Sequence, residues 1–254
     1  MIVDYKNKEI ITGLPDHFEE IKEIEAVNAE KVYLICEKAF YNSNIKSFKN
    51  LPNLRIIDKN AFAFSQIENF DFKNVQTIGQ DAFVRTCLKD VNIPKLETIG
   101  QSAFFGSSIT SFTAPLLESI KSYTFDECTN LKHIEIPVCK NIDTFAFACC
   151  ASLRKIVLPK TLKNVGNGIF FNCEKLEKVT FLSDVIIPPD TFMSCPGLKK
   201  IHVSENFIKL NKHIADFYKD KIVVDSLDDI IITNAKSFKE INNVYKERNK
   251  DISK

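Results

Sequence analysis

Residues 144–159, TFAFACCASLRKIVLP, decide the fold: an aromatic run, two adjacent cysteines and then a short apolar strand. Cys149 and Cys150 invite three readings: a reactive pair, half of a metal site, or packing material. The choice follows from finding the same peptide elsewhere in the chain. A short residue followed by Phe recurs as Ala39-Phe40, Ala61-Phe62, Ala82-Phe83, Ala103-Phe104, Thr124-Phe125, Ala146-Phe147, Ile169-Phe170 and Thr191-Phe192. Successive rings lie 22, 21, 21, 21, 22, 23 and 22 residues apart. Five residues before each stands a β-branched aliphatic: Ile35, Ile57, Ile78, Ile99, Ile120, Ile142, Val165 and Ile187. A period near 22 marks a repeat architecture.

The remaining positions of the repeat then acquire roles. Three residues after each ring comes a small side chain, Ser43, Ser65, Thr86 and Ser107, then Cys128, Cys150, Cys173 and Cys195. An aliphatic follows five residues after the ring in the first four repeats and six after in the last four. A two-residue alternation comes next, as in Val91/Ile93, Ile134/Ile136 and Ile156/Leu158, which is the period of a short strand with alternate side chains buried. Pro94, Pro115, Pro137 and Pro159 stop four of these strands, because proline cannot donate to a continuing ladder. A unit this short cannot bury a face alone, so equivalent residues must stack into continuous ladders. Parallel strands are expected on one face, with Phe-filled turns opposite. Cys150 falls in a slot that accepts Ser or Cys, which calls for a compact, weakly polar buried group. Cys149 is one residue out of register and belongs at the turn surface. Packing is the reading that fits.

With these residues in hand, the segment CTNLKHIEIPVCKNIDTFAFACCASLRKIVLP resembles the leucine-rich repeats of the BspA-like (bacterial surface protein A) class. The likeness lies in its Leu-x-x-Ile-x-Ile-Pro strand and its Ala-Phe-x-x-Cys-x-x-Leu turn, and extends over about residues 30 to 205. The resemblance implies an α/β-type solenoid, a right-handed leucine-rich-repeat superhelix with a concave parallel sheet, and no chemistry. It also implies adhesion, surface-antigen or binding roles at the cell surface. The chain departs from that class in having only 7 glycines.

The chain divides into an N-terminal cap with a degenerate repeat (1–30), eight repeats (31–205), and a C-terminal cap with a charged tail (206–254). Running the register back from Phe40 reaches Phe18, with Ile24, Val27 and Ala29 as a worn strand. An amphipathic helix carrying Phe18, Ile21 and Ile24 is the rival there. Ahead of it, MIVDYKNKEIIT reads as a capping hairpin turning at KNK. Phe207, Leu210, Ile214, Phe217 and Tyr218 have helical spacing, KIVV reads as a last strand, and a further helix carries Phe238, Ile241 and Tyr245.

Bulk properties narrow the function. Thirty-four basic and 33 acidic side chains leave a formal charge of +1, which argues against bulk binding to nucleic acid. No run approaches the about 18 apolar residues of a membrane span. The N-terminus lacks the apolar core of a secretory leader, so cytoplasmic residence is expected from the sequence and the cell surface from the resemblance. There is no phosphate loop, no nucleophile elbow and no Cys-x-x-Cys, and His17, His133, His202 and His213 are scattered. No catalytic residue, metal ligand or cofactor is expected.

A binding role through the concave strands remains, directed at a protein, matrix or glycan partner. The candidate contacts are the outward strand residues Asp71 and Asp90 in the early half, then His133, Glu135, Lys155, Lys178, Thr180, Lys200 and His202. Lys155, Lys178 and Lys200 occupy one position in three consecutive repeats. Three like charges in file invite an anionic partner, and a merely solvated face is the plainer alternative. An intracellular scaffold, or a homodimer through a capped end, is the other class of reading. In an oxidising compartment, Cys36, Cys87, Cys139 and Cys149 are the thiols expected to change state.

Overall fold

The computed structural model describes residues 2–5, 8–11, 23–25, 31–49 and 51–225. The chain enters as an antiparallel pair, β1 (Ile2–Tyr5) and β2 (Lys8–Ile11). Then β3 (Glu23–Glu25) begins the coils. Each following coil carries two short strands. In chain order these are β4 (Val32–Ile35) and β5 (Ser47–Lys49), β6 (Ile56–Ile57) and β7 (Asn69–Phe70), β8 (Thr77–Ile78) and β9 (Asp90–Asn92). They continue as β10 (Thr98–Ile99) and β11 (Ser111–Thr113), β12 (Ser119–Ile120) and β13 (His133–Glu135), β14 (Asn141–Ile142) and β15 (Lys155–Leu158). The last pair is β16 (Asn164–Val165) and β17 (Lys178–Phe181), followed by β18 (Lys200–Val203).

Two parallel stacks result where the sequence predicts one. The broad stack runs β3-β5-β7, then β9-β11-β13, then β15-β17-β18, at the predicted register. The narrow stack, β2-β4-β6-β8-β10 and then β12-β14-β16, is the addition. From β4 on its strands end on the aliphatics five residues before each ring, from Ile35 to Val165, and from β6 on each is only two residues long. Two residues are too few to display a period, so the alternation that reveals a strand never develops.

Between the stacks runs the phenylalanine column. Phe40, Phe62, Phe83, Phe104, Phe125, Phe147, Phe170 and Phe192 are all buried. Consecutive centroids lie 5.1, 5.3, 5.2, 5.9, 5.4, 5.9 and 6.0 Å apart, and no pair is tilted by more than 19°. Offset stacking at that separation adds to area burial, roughly 0.5–1.5 kcal/mol per pair. Ala or Thr before most rings lets successive turns approach closely.

Those turns are built on left-handed backbone. In the first seven turns the residues two before and two after the ring take positive φ, as at Lys38 (56°) and Asn42 (53°), or Phe145 (55°) and Cys149 (53°); in the eighth only Ser194 does. Each such residue costs on the order of 1 kcal/mol. The compensation is a ladder between coils: Phe40 N–H donates to Ala61 O at 2.7 Å and Asn42 N–H to Ala63 O at 2.8 Å, a pattern repeated up the column. Among the described residues, thirteen of the fifteen in this conformation are not glycine, which accounts for a glycine-poor chain that still turns tightly.

The four thiols three residues after a ring are packing, as the register predicts, and they also donate. Sγ of Cys128, Cys150, Cys173 and Cys195 reaches the carbonyl of the preceding coil's ring residue at 3.0, 3.2, 3.1 and 2.9 Å. Burial pushes Cys128 up to about 12 and Cys195 up to about 11, with Cys150 and Cys173 also raised, so none is a thiolate at neutral pH. Cys139 departs from its expectation as a thiol open to oxidation. It is buried, its Sγ donates to Asn141 O at 3.2 Å, and burial raises it to about 11.

At the C-terminal end the single predicted helix is two, α1 (Glu205–Leu210) and α2 (Lys212–Phe217). Asn211 breaks the run. Fully buried, it accepts from Ile187 N–H at 2.8 Å and donates to Val185 O and Phe207 O at 2.9 and 3.0 Å. A side-chain amide thus takes the place of a strand where the narrow stack has ended. The KIVV strand forms as β19 (Ile222–Val224), parallel to β18. The expectations for Phe18, Val27, Ala29 and the helix with Phe238, Ile241 and Tyr245 fall outside the described residues.

Candidate functional site

Outward residues of the broad stack form rows, because parallel in-register pairing repeats each position about every 4.8 Å. One row reads Asp90, Ser111 and His133 across β9, β11 and β13, and resumes as Lys155, Lys178 and Lys200 across β15, β17 and β18. The second, two residues on, reads Asn92, Thr113 and Glu135, then Val157, Thr180 and His202.

The early rows are internally satisfied. Asp90 Oδ1 accepts from Thr110 and Ser111 hydroxyls at 2.8 and 2.7 Å, and Asp71 Oδ1 accepts from Lys73 N–H at 3.0 Å. Glu135 is half-buried, and desolvation raises its carboxyl above the usual range. His133 is exposed.

The late rows differ in kind. Lys155 and Lys200 are exposed and Lys178 is half-buried, and no described acid pairs with any of them. Glu177, next to Lys178 in the chain, already accepts from Arg154 at 2.8 Å and from Lys199 at 3.4 Å. In bulk water, unit charges one strand apart repel by about 1 kcal/mol per pair, and neutralisation by an anion would remove that cost. Thr180 does not join this surface. It stands between Val157 and His202 in its row and is only 3% exposed, too covered to offer a contact.

His202 stands in the second row, two residues on from Lys200. Its Nδ1 faces the Asp225 carboxylate just past β19, and its Nε2 is buried without a protein partner. Asp225 was not among the residues singled out in the sequence, although it lies 23 residues after His202, one repeat further on. Similarly, Ser204 caps α1 through Phe207 N–H at 3.0 Å and donates to Asp184, an acid in the irregular stretch before Pro188. Of the nine candidates, the structure brings three lysines and His202 to one end and leaves Asp71 and Asp90 at the other.

Among the described residues no group of three His, Cys, Asp or Glu side chains is arranged to hold a metal ion, and no helix is long and apolar enough to cross a membrane.

Compared with known proteins, residues 14–110 and 97–222 match the BspA type leucine rich repeat region, in six copies. No curated protein matches. A leucine-rich repeat protein of Bacteroides ovatus, solved by crystallography, is 22% identical over 81% of this chain and 66% of its own, with a TM-score of 0.54. This chain therefore spans slightly less than two thirds of that structure. A leucine-rich repeat protein of Eubacterium ventriosum is 16% identical over 80% of this chain and 79% of its own, with a TM-score of 0.45. For the pneumococcal vaccine antigen PcpA the figures are 16%, 89%, 87% and 0.35.

Proposed function

The chain belongs to the BspA-type leucine-rich repeat family, and we propose that it is a non-enzymatic binding protein whose late broad-stack face docks an acidic partner. The observation that supports this reading is the register of Lys155, Lys178 and Lys200 with no described acid to neutralise them. The partner is a protein segment or a matrix glycan bearing carboxylates or sulfates. Lys200 at one end and His133 at the other bound the contact, with Val157 as an apolar patch beside the file. Poly-L-glutamate serves as the probe: titration is expected to give salt-sensitive binding that Lys155→Glu, Lys178→Glu and Lys200→Glu together abolish, at an unchanged thermal midpoint. Equal binding by the triple variant would remove the proposal.

A second reading has one observation in its favour. At the C-terminal end Phe217 is 79% exposed and Val224 50% exposed, so the column could pair end to end with a copy of itself. Light scattering on the full chain and on Phe217→Ser separates the two, since only the end contact predicts a change of mass.

A further inference from the structure

The left-handed turns hold one position unlike its equivalents. Two residues before the ring, the backbone N–H donates to the next coil in six successive turns, from Lys38 N–H on Lys59 O to Phe145 N–H on Asn167 O, at 2.9–3.1 Å. Gly168 is the seventh member of that row. Its φ is +56° like the others, yet its N–H has no acceptor among the described residues. The next coil arrives there with Pro188 and Pro189, in the irregular stretch where the narrow stack has ended. Immediately before Gly168 stands Asn167, exposed, in the only Asn-Gly pair of the sequence.

We propose that Asn167 is a self-modification site, losing its side-chain amide spontaneously in the folded protein. The reaction needs nothing but the chain and water. The Gly168 backbone nitrogen gives up its proton and attacks Cγ of Asn167. A new C–N bond closes a five-membered imide, the bond from Cγ to the side-chain nitrogen breaks, and ammonia leaves. Water then opens the ring at either carbonyl, giving aspartate or isoaspartate. Two features of this turn favour the first step. Gly168 has no Cβ to obstruct the approach. Its N–H is also not committed to a ladder bond, which would have to break first in the six equivalent turns.

The product has structural consequences in coil seven. Isoaspartate lengthens the main chain by one methylene and adds a negative charge. The Asn167 carbonyl that accepts Phe145 N–H at 2.9 Å is thereby displaced. The Phe145 ring lies directly over Gly168, where even a Cβ would come within 2.5 Å of Cε1, so there is no slack to absorb an added atom. The sixth and seventh turns are therefore expected to loosen at their outer edge, while the buried ring column is retained.

The test is ageing of the full-length protein in mildly alkaline buffer, read by peptide mass mapping and by isoaspartyl methyltransferase labelling. A synthetic peptide of residues 163–172 is aged in parallel. The expected result is amide loss at Asn167 several-fold ahead of every other asparagine, at a rate within a few-fold of the peptide's. Label is expected to vanish in Asn167→Gln, and hydrogen exchange at the Phe145 amide to quicken in aged protein. A native chain that keeps this amide while the peptide loses it would show that the turn protects Asn167 and would overturn the proposal. Conversion first at another asparagine, such as Asn42 before Ser43, would overturn it equally.

Discussion

The first four ring-bearing coils and the last four share a backbone and a column of rings, but differ at two positions. In the slot three residues after the ring, the early coils carry Ser or Thr and the late coils Cys. Ser43 and Ser65 hydroxyls are buried without a partner, Thr86 turns back to its own coil's Phe83 carbonyl at 3.0 Å and Ser107 meets the Cys128 thiol at 3.5 Å, whereas each late thiol reaches the preceding coil's carbonyl. On the broad face, the early coils present acids held by their neighbours, and the late coils present lysines held by none. The first difference concerns reach: sulfur is larger than oxygen and its bonds are longer, so it spans a gap a serine cannot. The second concerns vacancy of charge. A difference inside the column reports on packing, and one on the face, at constant backbone, is where a binding role has to be sought.

The largest effect should come from what the two halves share. Phe125→Ala is expected to cost about 3–5 kcal/mol in denaturant unfolding, since the ring is fully buried between two neighbours. A loss below 1 kcal/mol would mean the column does not hold the coils together.

The slot comparison is broken by exchanging its residues. Cys150→Ser should cost about 1–3 kcal/mol, because a shorter hydroxyl leaves a buried polar group unmade. Ser65→Cys, its mirror, should be neutral or stabilising. Calorimetric midpoints of the two variants moving together would contradict the account of reach.

An intermediate effect lies where the halves meet. Burial raises the Asp126 carboxyl to about 6, and its Oδ1 is buried without a partner. The folded state therefore holds this proton more tightly than the unfolded chain, whose carboxyl titrates near ~4. The associated stability is fully present below about pH 4 and is lost as pH rises through about 6. Asp126→Asn should gain on wild type across that window and keep the gain above it. On the order of 1 kcal/mol is expected once solvent screening of a half-exposed group is allowed for.

The smallest effect sharpens the face comparison. Reversing Lys155, Lys178 and Lys200 should change unfolding free energy by no more than about 0.5 kcal/mol per site, the usual range for surface substitutions.

The ring register was legible because every coil repeats it, and an error at one coil is corrected by seven others. The outward rows followed from it, and Asp90, His133, Lys155, Lys178 and Lys200 stand in the rows where alternation puts them. The narrow stack was not legible, since Thr77-Ile78 or Asn141-Ile142 carries no period. Nor were the left-handed turns, because Lys38, Arg85 and Tyr123 are not residues that announce positive φ. Asn211 looked like one more helical residue, and its role depends on Val185 and Ile187, distant in sequence and adjacent only in the fold. Thr180 shows the limit of alternation: a position can point outward and still be covered by its neighbours in the row.

The most direct test of the central claim is calorimetric titration of poly-L-glutamate against two charge-reversed proteins. One carries Lys155→Glu, Lys178→Glu and Lys200→Glu; the other carries Asp71→Lys and Asp90→Lys. Binding should vanish in the late-half variant and persist or tighten in the early-half variant. Equal loss in both, or retention in both, would show that the lysine file is only a hydrated surface.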